Sequence, residues 1–413
     1  MTDVVSWDFN RIVVRDNLFP VHLRWLCVAL HKTIGESRFK DIVLDFSLCL
    51  GITEAVMLPL LPLVTKYREE NIDFSIILPT DKKLNRLFLN ANWAHYLNPE
   101  KHTRSEHHGG HVPALRFGKD DLQNWTVISD SVIELILRQL ETNRSALKAV
   151  EWSLWEIMDN AVRHAQSPVG GFVQATAFKQ SNRVEFVVAD AGIGIAETMG
   201  IRSHSQALRV AIDEGRTSDP SKNAGNGLYG SYRIASLSRG QFEIHSIYGR
   251  LFCDGEKEEV NSTDEKIPYG GTSVRCSISL SEPDLLSNAL KFKGKTHDPT
   301  NDYVERKFEG DEGELVFSIR KEAQRDVGSR LGGIQVRNAI ENLLRNQPYI
   351  VIDFSDVSVI SSSFADEVFG RLFVNMGPRA FMTKIRMHNV DPTVEGLIDR
   401  AILQRTKLGN GEI

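Results

Sequence analysis

The spacing of apolar residues changes several times along the chain, and each change marks an element. From Phe19 to Lys32 they recur at helical spacing, and Asp41 to Phe46 is a short β-rich run. Thr53 to Tyr67 carries a long apolar helical face, Ile72 to Pro79 reads as a strand stopped by proline, and Lys83 to Tyr96 is again helical. Alternating strand and helix is the rhythm of a small α/β layer. Asn98 to Pro113 is polar, rich in His and Gly, and reads as a long loop.

A second pattern starts near Gly118. Ser129 to Leu140 and Ser145 to Ala165 read as helices, the latter rich in Trp and Glu. Phe172 to Lys179 and Val184 to Ala189 read as strands. A Gly-punctuated segment, a helix from Leu228 to Leu237, and strands at Phe242 to Ser246 and Ser273 to Leu280 follow. This mixture predicts an α+β sandwich. Ser281 to Thr300 is polar with two prolines and predicts a linker, centred on 283–300. Beyond it lie a helix at Arg330 to Leu344, a strand at Tyr349 to Phe354, and helices at Ser362 to Phe373 and Val394 to Gln404.

Two segments are alike: Ile42 to Ser47 and Ile350 to Ser355 each end in Asp-Phe-Ser and run into a helix. The expected organisation is therefore α/β and α+β multidomain, with domains at 1–117, 118–282 and 301–413, the outer two related.

Composition narrows the function classes. The 413 residues, at about 150 per domain, give about two or three domains. With 41% hydrophobic and 25% charged residues the chain is neither disordered nor fibrous. A net charge of -5 argues against a chain-wide grip on nucleic acid. No apolar run approaches the ~20 residues of a membrane helix. The Met1-Thr2-Asp3-Val4 start lacks signal-peptide features, and Cys27, Cys49, Cys253 and Cys276 are far apart. A cytoplasmic protein with reduced thiols, away from membranes, is expected.

Three motifs in the middle segment carry the chemistry. In Glu156-Ile157-Met158-Asp159-Asn160-Ala161-Val162-Arg163-His164, residues Glu156, Asn160 and His164 share one helix face. A carboxylate there can orient water or a hydroxyl, and an amide oxygen one turn later can coordinate Mg²⁺. Asp190-Ala191-Gly192-Ile193-Gly194-Ile195 directly follows a strand, so its carboxylate can accept from an exocyclic amine beside glycines that let a flat ring approach. Gly225-Asn226-Gly227-Leu228-Tyr229-Gly230 opens a helix, where backbone N–H groups can cradle phosphate. Gly270-Gly271-Thr272 before the last strand is a fourth, weaker element. A single match of this kind is often an ordinary turn; the order and strand–loop–helix context give the set its weight.

From about Asp120 to Leu280 the set resembles the GHKL ATPases, the fold shared by gyrase-type ATPases, Hsp90, MutL and histidine kinases. The resemblance implies a Bergerat-fold domain binding ATP with Mg²⁺. It implies Mg²⁺ on Asn160 and recognition of the adenine amino group by Asp190, helped by Thr272 through a water. It places Gly192 and Gly194 at the base pocket, and Gly225, Gly227, Leu228 and Gly230 at the phosphates. Ala196 to Ala224 would be the lid, with Arg216, Thr217, Ser218 and Lys222 as phosphate contacts or solvated loop residues. The Glu-x-x-x-Asn-Ala-x-x-His pattern is most similar to the anti-sigma-factor serine kinases, whose general base matches Glu156. Gyrase-type ATPases place a Glu identically, so water and serine both stay open as acceptors. His164 reads as a polar supporting residue.

Val351 to Glu367 resembles STAS-like domains, which implies Ser362 as a candidate phosphoacceptor, with an N-cap as the plainer reading. The first segment reads as a more divergent STAS-like fold. Counting from Asp45 as from Asp353 sets Glu54 against Ser362, either a phosphoserine mimic or a helix-start Glu favouring the dipole. His107, His108 and His111 form an HHxxH that lacks completing ligands and reads as loop. Trp152 and Trp155 read as packing residues.

The expectation is an ATP-binding regulator, an ATPase or serine protein kinase of a partner-switching signalling or defence module. Its STAS-like domains would bind protein partners, and it could form a homodimer or higher oligomer. The alternative is an ATP-gated clamp or scaffold without phosphotransfer.

Overall fold

Alternating apolar residues in the first 80 positions build one sheet from β1 (Val5–Asp8), β2 (Arg11–Leu18), β3 (Asp41–Ile52) and β4 (Asp73–Ile77), in that order. β1 and β2 pair antiparallel; β2, β3 and β4 run parallel. Ile42, Leu44 and Phe46 on β3 point inward, as period two requires. Helices Leu23–Leu30 and Glu54–Glu69 follow β2 and β3. The second is buried without a break from Val56 to Thr65, as befits a helix apolar all round.

The computed structural model describes residues 4–105, 109–215, 226–292, 294–310, 313–323, 326–345 and 347–409. It divides into two compact units, residues 1–132 with 149–298, and residues 133–148 with 299–413.

The first unit contains a second sheet of β5 (His111–Phe117), β6 (Gly171–Phe178), β7 (Arg183–Asp190), β8 (Gln241–Asp254) and β9 (Glu259–Ser279). Its order is β5-β6-β7-β9-β8, and every neighbouring pair is antiparallel. β7 is buried on both faces from Val184 to Asp190, so its sequence is nearly continuous apolar rather than alternating.

Residues of the first segment share one apolar core with Phe172, Val187, Ala191 and Tyr269 of this sheet. Three polar ties reinforce it. Buried Arg24 donates to the carbonyls of Ile247 (2.9 Å), Gly249 (3.1 Å) and Ile267. Trp93 Nε1 donates to Gln174 Oε1 at 2.8 Å. The Tyr269 hydroxyl, wholly buried, lies 3.1 Å from both the Pro59 and Asp190 carbonyls.

Several elements differ from the sequence expectation. β1 and β2 fall where no element was read, and β5 begins inside the predicted loop, with His111 as its first residue; His107 and His108 lie outside the described residues. β8 and β9 extend well beyond their apolar cores as a polar hairpin. Within 283–300 the chain forms a helix at Leu285–Ala289 and a hairpin of β10 (Lys291–Phe292) and β11 (Lys295–Thr296). Leu285, Leu286, Ala289 and Leu290 are buried there, giving this polar stretch an anchor.

The second unit has a parallel sheet of β12 (Leu315–Ser318), β13 (Ile350–Asp353) and β14 (Ile385–His388). Helix Arg330–Leu344 carries Asn342, which donates to the carbonyls of Leu137 and Leu140 and accepts from Thr142 N. One buried side chain thus satisfies the end of helix Leu122–Gln139. No described helix is long and apolar enough to cross a membrane.

Candidate functional site

Helix Arg144–Asp159 follows its apolar periodicity to Asp159, then widens into a π turn at Asn160–His164. Such one-turn departures re-aim side chains. Here Glu156, Asp159, Asn160 and His164 all line one cavity of about 250 Å³. Its other walls come from Asp190 and Gly194 at the end of β7, Thr272 on β9, and Asn226, Gly227 and Leu228 opening helix Gly227–Leu237.

Asp190 is 2% exposed. Its Oδ1 accepts from Gly192 N (2.8 Å) and Thr272 N (3.2 Å), while among the described residues Oδ2 accepts from none. Burial pushes this carboxyl up to about 7, against the pull of those two amides. Gly192 does not line the cavity; a Cβ there would lie 2.0 Å from the Ala165 carbonyl oxygen. Ile193 N donates to that same oxygen at 2.8 Å. This glycine lets the strand end touch the end of the Glu156 helix. Gly194, at φ +83°, takes a backbone conformation suited to glycine and lines the cavity beside Ser246 and Ile247.

Thr272 meets Asp190 directly through its backbone amide, while its hydroxyl lies 3.0 Å from Ser246 Oγ. Ser246 Oγ in turn accepts from Ile195 N at 2.9 Å. Ser246 thus braces both walls around Asp190, a role with no motif signal.

Glu156 is pushed up to about 7, chiefly by burial and further by Asp159, with Arg163 opposing. Arg163 pairs with Asp159 at 2.7 Å. Gly227 stands against Glu156: a Cβ on it would lie 2.3 Å from Oε2. Gly230 stands against Trp152, one turn before Glu156, at 2.3 Å from Cη2 by the same measure. Small residues therefore let two helices pass close enough to hold Glu156 at the cavity wall. Gly225, Arg216, Thr217, Ser218 and Lys222 lie outside the described residues.

The donor set fits a nucleotide and its metal. Asp190 offers an oxygen with no donor among the described residues, Gly227 and Leu228 open a helix N-terminus, and Asn160 offers an amide oxygen. Among the described residues no group of three or more His, Cys, Asp or Glu is arranged for a metal, so a Mg²⁺ here would share Asn160 with phosphate oxygens and water.

Two other candidates differ from the sequence expectation. Ser361, not Ser362, is the N-cap: its Oγ accepts from Phe364 N at 3.0 Å, and Ser362 is exposed. Glu54 turns inward with Oε1 out of solvent, and burial, then Glu185, pushes its carboxyl up. A carboxyl so placed does not display phosphoserine-like charge.

Residues 148–282 match the family model described as histidine kinase-, DNA gyrase B-, and HSP90-like ATPase, and residues 332–395 match the STAS-like domain of unknown function (DUF4325). A search of the curated proteins gives no match. The chain thus contains a GHKL-type ATPase domain and, after it, a STAS-like domain.

Proposed function

We propose that the chain binds Mg-ATP and transfers the terminal phosphoryl group, with Glu156 as general base, to regulate protein partners through its STAS-like segments. The observation that carries this reading is the pair Glu156 and Asp190, both pushed up to about 7, on the wall of one cavity that Asn160 also lines. Asp190 accepts from the base's exocyclic amine through Oδ2, with Gly192 and Thr272 fixing its other oxygen. Backbone amides at Gly227 and Leu228 face the phosphates. Mg²⁺ on Asn160 would neutralise phosphate charge during transfer. Glu156 removes the proton from the attacking oxygen as that oxygen bonds to phosphorus and the bond to the departing diphosphate breaks.

The acceptor is water or a serine, and exposed Ser362 is the serine we favour. We further propose a divergent STAS-like first segment, cytoplasmic placement, protein partners at the STAS-like surfaces, and a homodimer or larger assembly.

The test follows phosphate release and intact mass with Mg²⁺ and ATP, using Glu156→Ala as control. Release that disappears in the control supports the ATPase. A mass gain of one phosphate on Ser362 supports the kinase. A protein that binds ATP and does neither leaves the ATP-gated scaffold, a reading that the inward-turned Glu54, with no acceptor hydroxyl at that position, also favours.

A further inference from the structure

The ATPase family match ends at residue 282, yet the cavity wall does not. Phe292 and His297, from the hairpin β10–β11 and the residue after it, line the same cavity as Glu156 and Asn160. Their placement is built rather than incidental. Leu285, Leu286 and Ala289 of the preceding helix are buried, and Leu290 packs against Gly230. His297 N donates to the Leu290 carbonyl at 2.8 Å, closing the hairpin at its base. The Phe292 ring centroid lies 6.4 Å from Trp152, 6.2 Å from Tyr229 and 5.9 Å from His297; Trp152 and His297 are 6.2 Å apart.

Position along the helix says which part of a ligand they meet. Asn160, Glu156 and Trp152 follow one another at one-turn intervals. The hairpin's rings meet Trp152 and Tyr229, at the Trp152 end of this row. On the nucleotide reading, Asn160 would hold a metal among the phosphates and Glu156 would stand beside the group being transferred, which would set the hairpin toward the terminal phosphate. An imidazole there brings an N–H donor to phosphate oxygen, and Trp152 and Phe292 fix the ring.

We propose that His297 is a binding residue for the terminal phosphate, held in place by Phe292, and that this hairpin makes the site distinguish a nucleoside triphosphate from a diphosphate. The proposal rests on the nucleotide reading given above. It also makes the residues just before Pro299, where the chain returns to the second unit, part of the nucleotide site.

Calorimetric titration of the full chain with Mg²⁺ and either ADP or the non-hydrolysable analogue AMP-PNP tests it. His297 is exposed, so His297→Ala should keep the fold, which a thermal melt checks. His297→Ala is expected to weaken AMP-PNP about tenfold and ADP less than about twofold, as loss of one hydrogen bond to a charged group requires. His297→Gln, which keeps an N–H donor, should recover part of the loss, and Phe292→Ala should show the same selective loss. If wild type binds both ligands and Asp190→Asn abolishes binding, but His297→Ala binds AMP-PNP as wild type or weakens both ligands equally, the hairpin proposal is overturned. If wild type binds neither ligand, the nucleotide reading itself falls with it.

Discussion

Gly227 stands so close to Glu156 that a single added methyl would meet its carboxylate oxygen at 2.3 Å. In the proposed reaction the helix that would present its amides to phosphate is therefore the same one that confines Glu156. Gly227→Ala must move either the helix start or the carboxylate. A phosphate-release assay should show at least a tenfold loss with little change in stability, because the carboxylate is the far end of a flexible side chain and can swing aside. Wild-type turnover in this variant would disconnect Glu156 from the reaction.

The protonation of Glu156 sets a pH profile. With its carboxyl near 7, the basic form grows as pH rises through 7, so turnover should climb from pH 6 to 8 and then level. Asp159→Asn removes a neighbour that raises Glu156 and leaves Arg163, which lowers it. The midpoint should then shift to lower pH, as read from initial rates in constant ionic strength. An unmoved midpoint would assign the profile to another group.

Asp190 and Glu156 also predict how stability changes with pH. Both are raised in the folded chain above their unfolded values of about 4, so between pH 4 and 7 the folded state binds more protons. Stability contributed by the neutral forms is present below pH 4 and is lost as pH rises through 7, by about 1.4 kcal/mol per pH unit for each group. Glu243, held down to about 2 by His245 and Arg250 despite burial, works in the opposite sense, and only below its ordinary range. Asp190→Asn keeps an oxygen for Gly192 N and Thr272 N and should therefore exceed wild type in melting temperature at pH 8, and match it at pH 4. The same variant should lose ATP binding by at least tenfold.

Ser246→Ala separates bracing from contact. It removes the partner of the Thr272 hydroxyl and of Ile195 N. A cost of about 1–3 kcal/mol in urea unfolding is expected, together with weaker nucleotide binding. Unchanged affinity would show that the Asp190 wall holds without it.

The parts of the site written in local pattern were readable from the sequence. Glu156 and Asn160 sit at helical spacing, Asp190 ends a strand, and a glycine-opened helix starts at Gly227. The parts that depend on distant neighbours were not. Ser246 is an unremarkable serine until Thr272 and Ile195 come to it. Gly192 and Gly230 read as ligand glycines, but they serve backbone and helix approach against Ala165 and Trp152. Phe292 and His297 were hidden in a stretch whose polarity outweighs its four buried anchors. In the fold, β5 was obscured by its polar approach, and the far ends of β8 and β9 by the polar residues of their hairpin.

The Tyr269 hydroxyl, shared between Pro59 and Asp190, bears on how this chain came to exist. Domains that are shuffled as cassettes are cut where few contacts cross. Between the first segment and the ATPase domain a cut would strand Tyr269, strip Arg24 of its carbonyls and bare Phe172 and Val187 to water. The stretch recognisable as an ATPase is thus shorter than the stretch that can be inherited as one. A cut that keeps both halves folded must therefore fall outside the span that holds the first segment and the ATPase domain together.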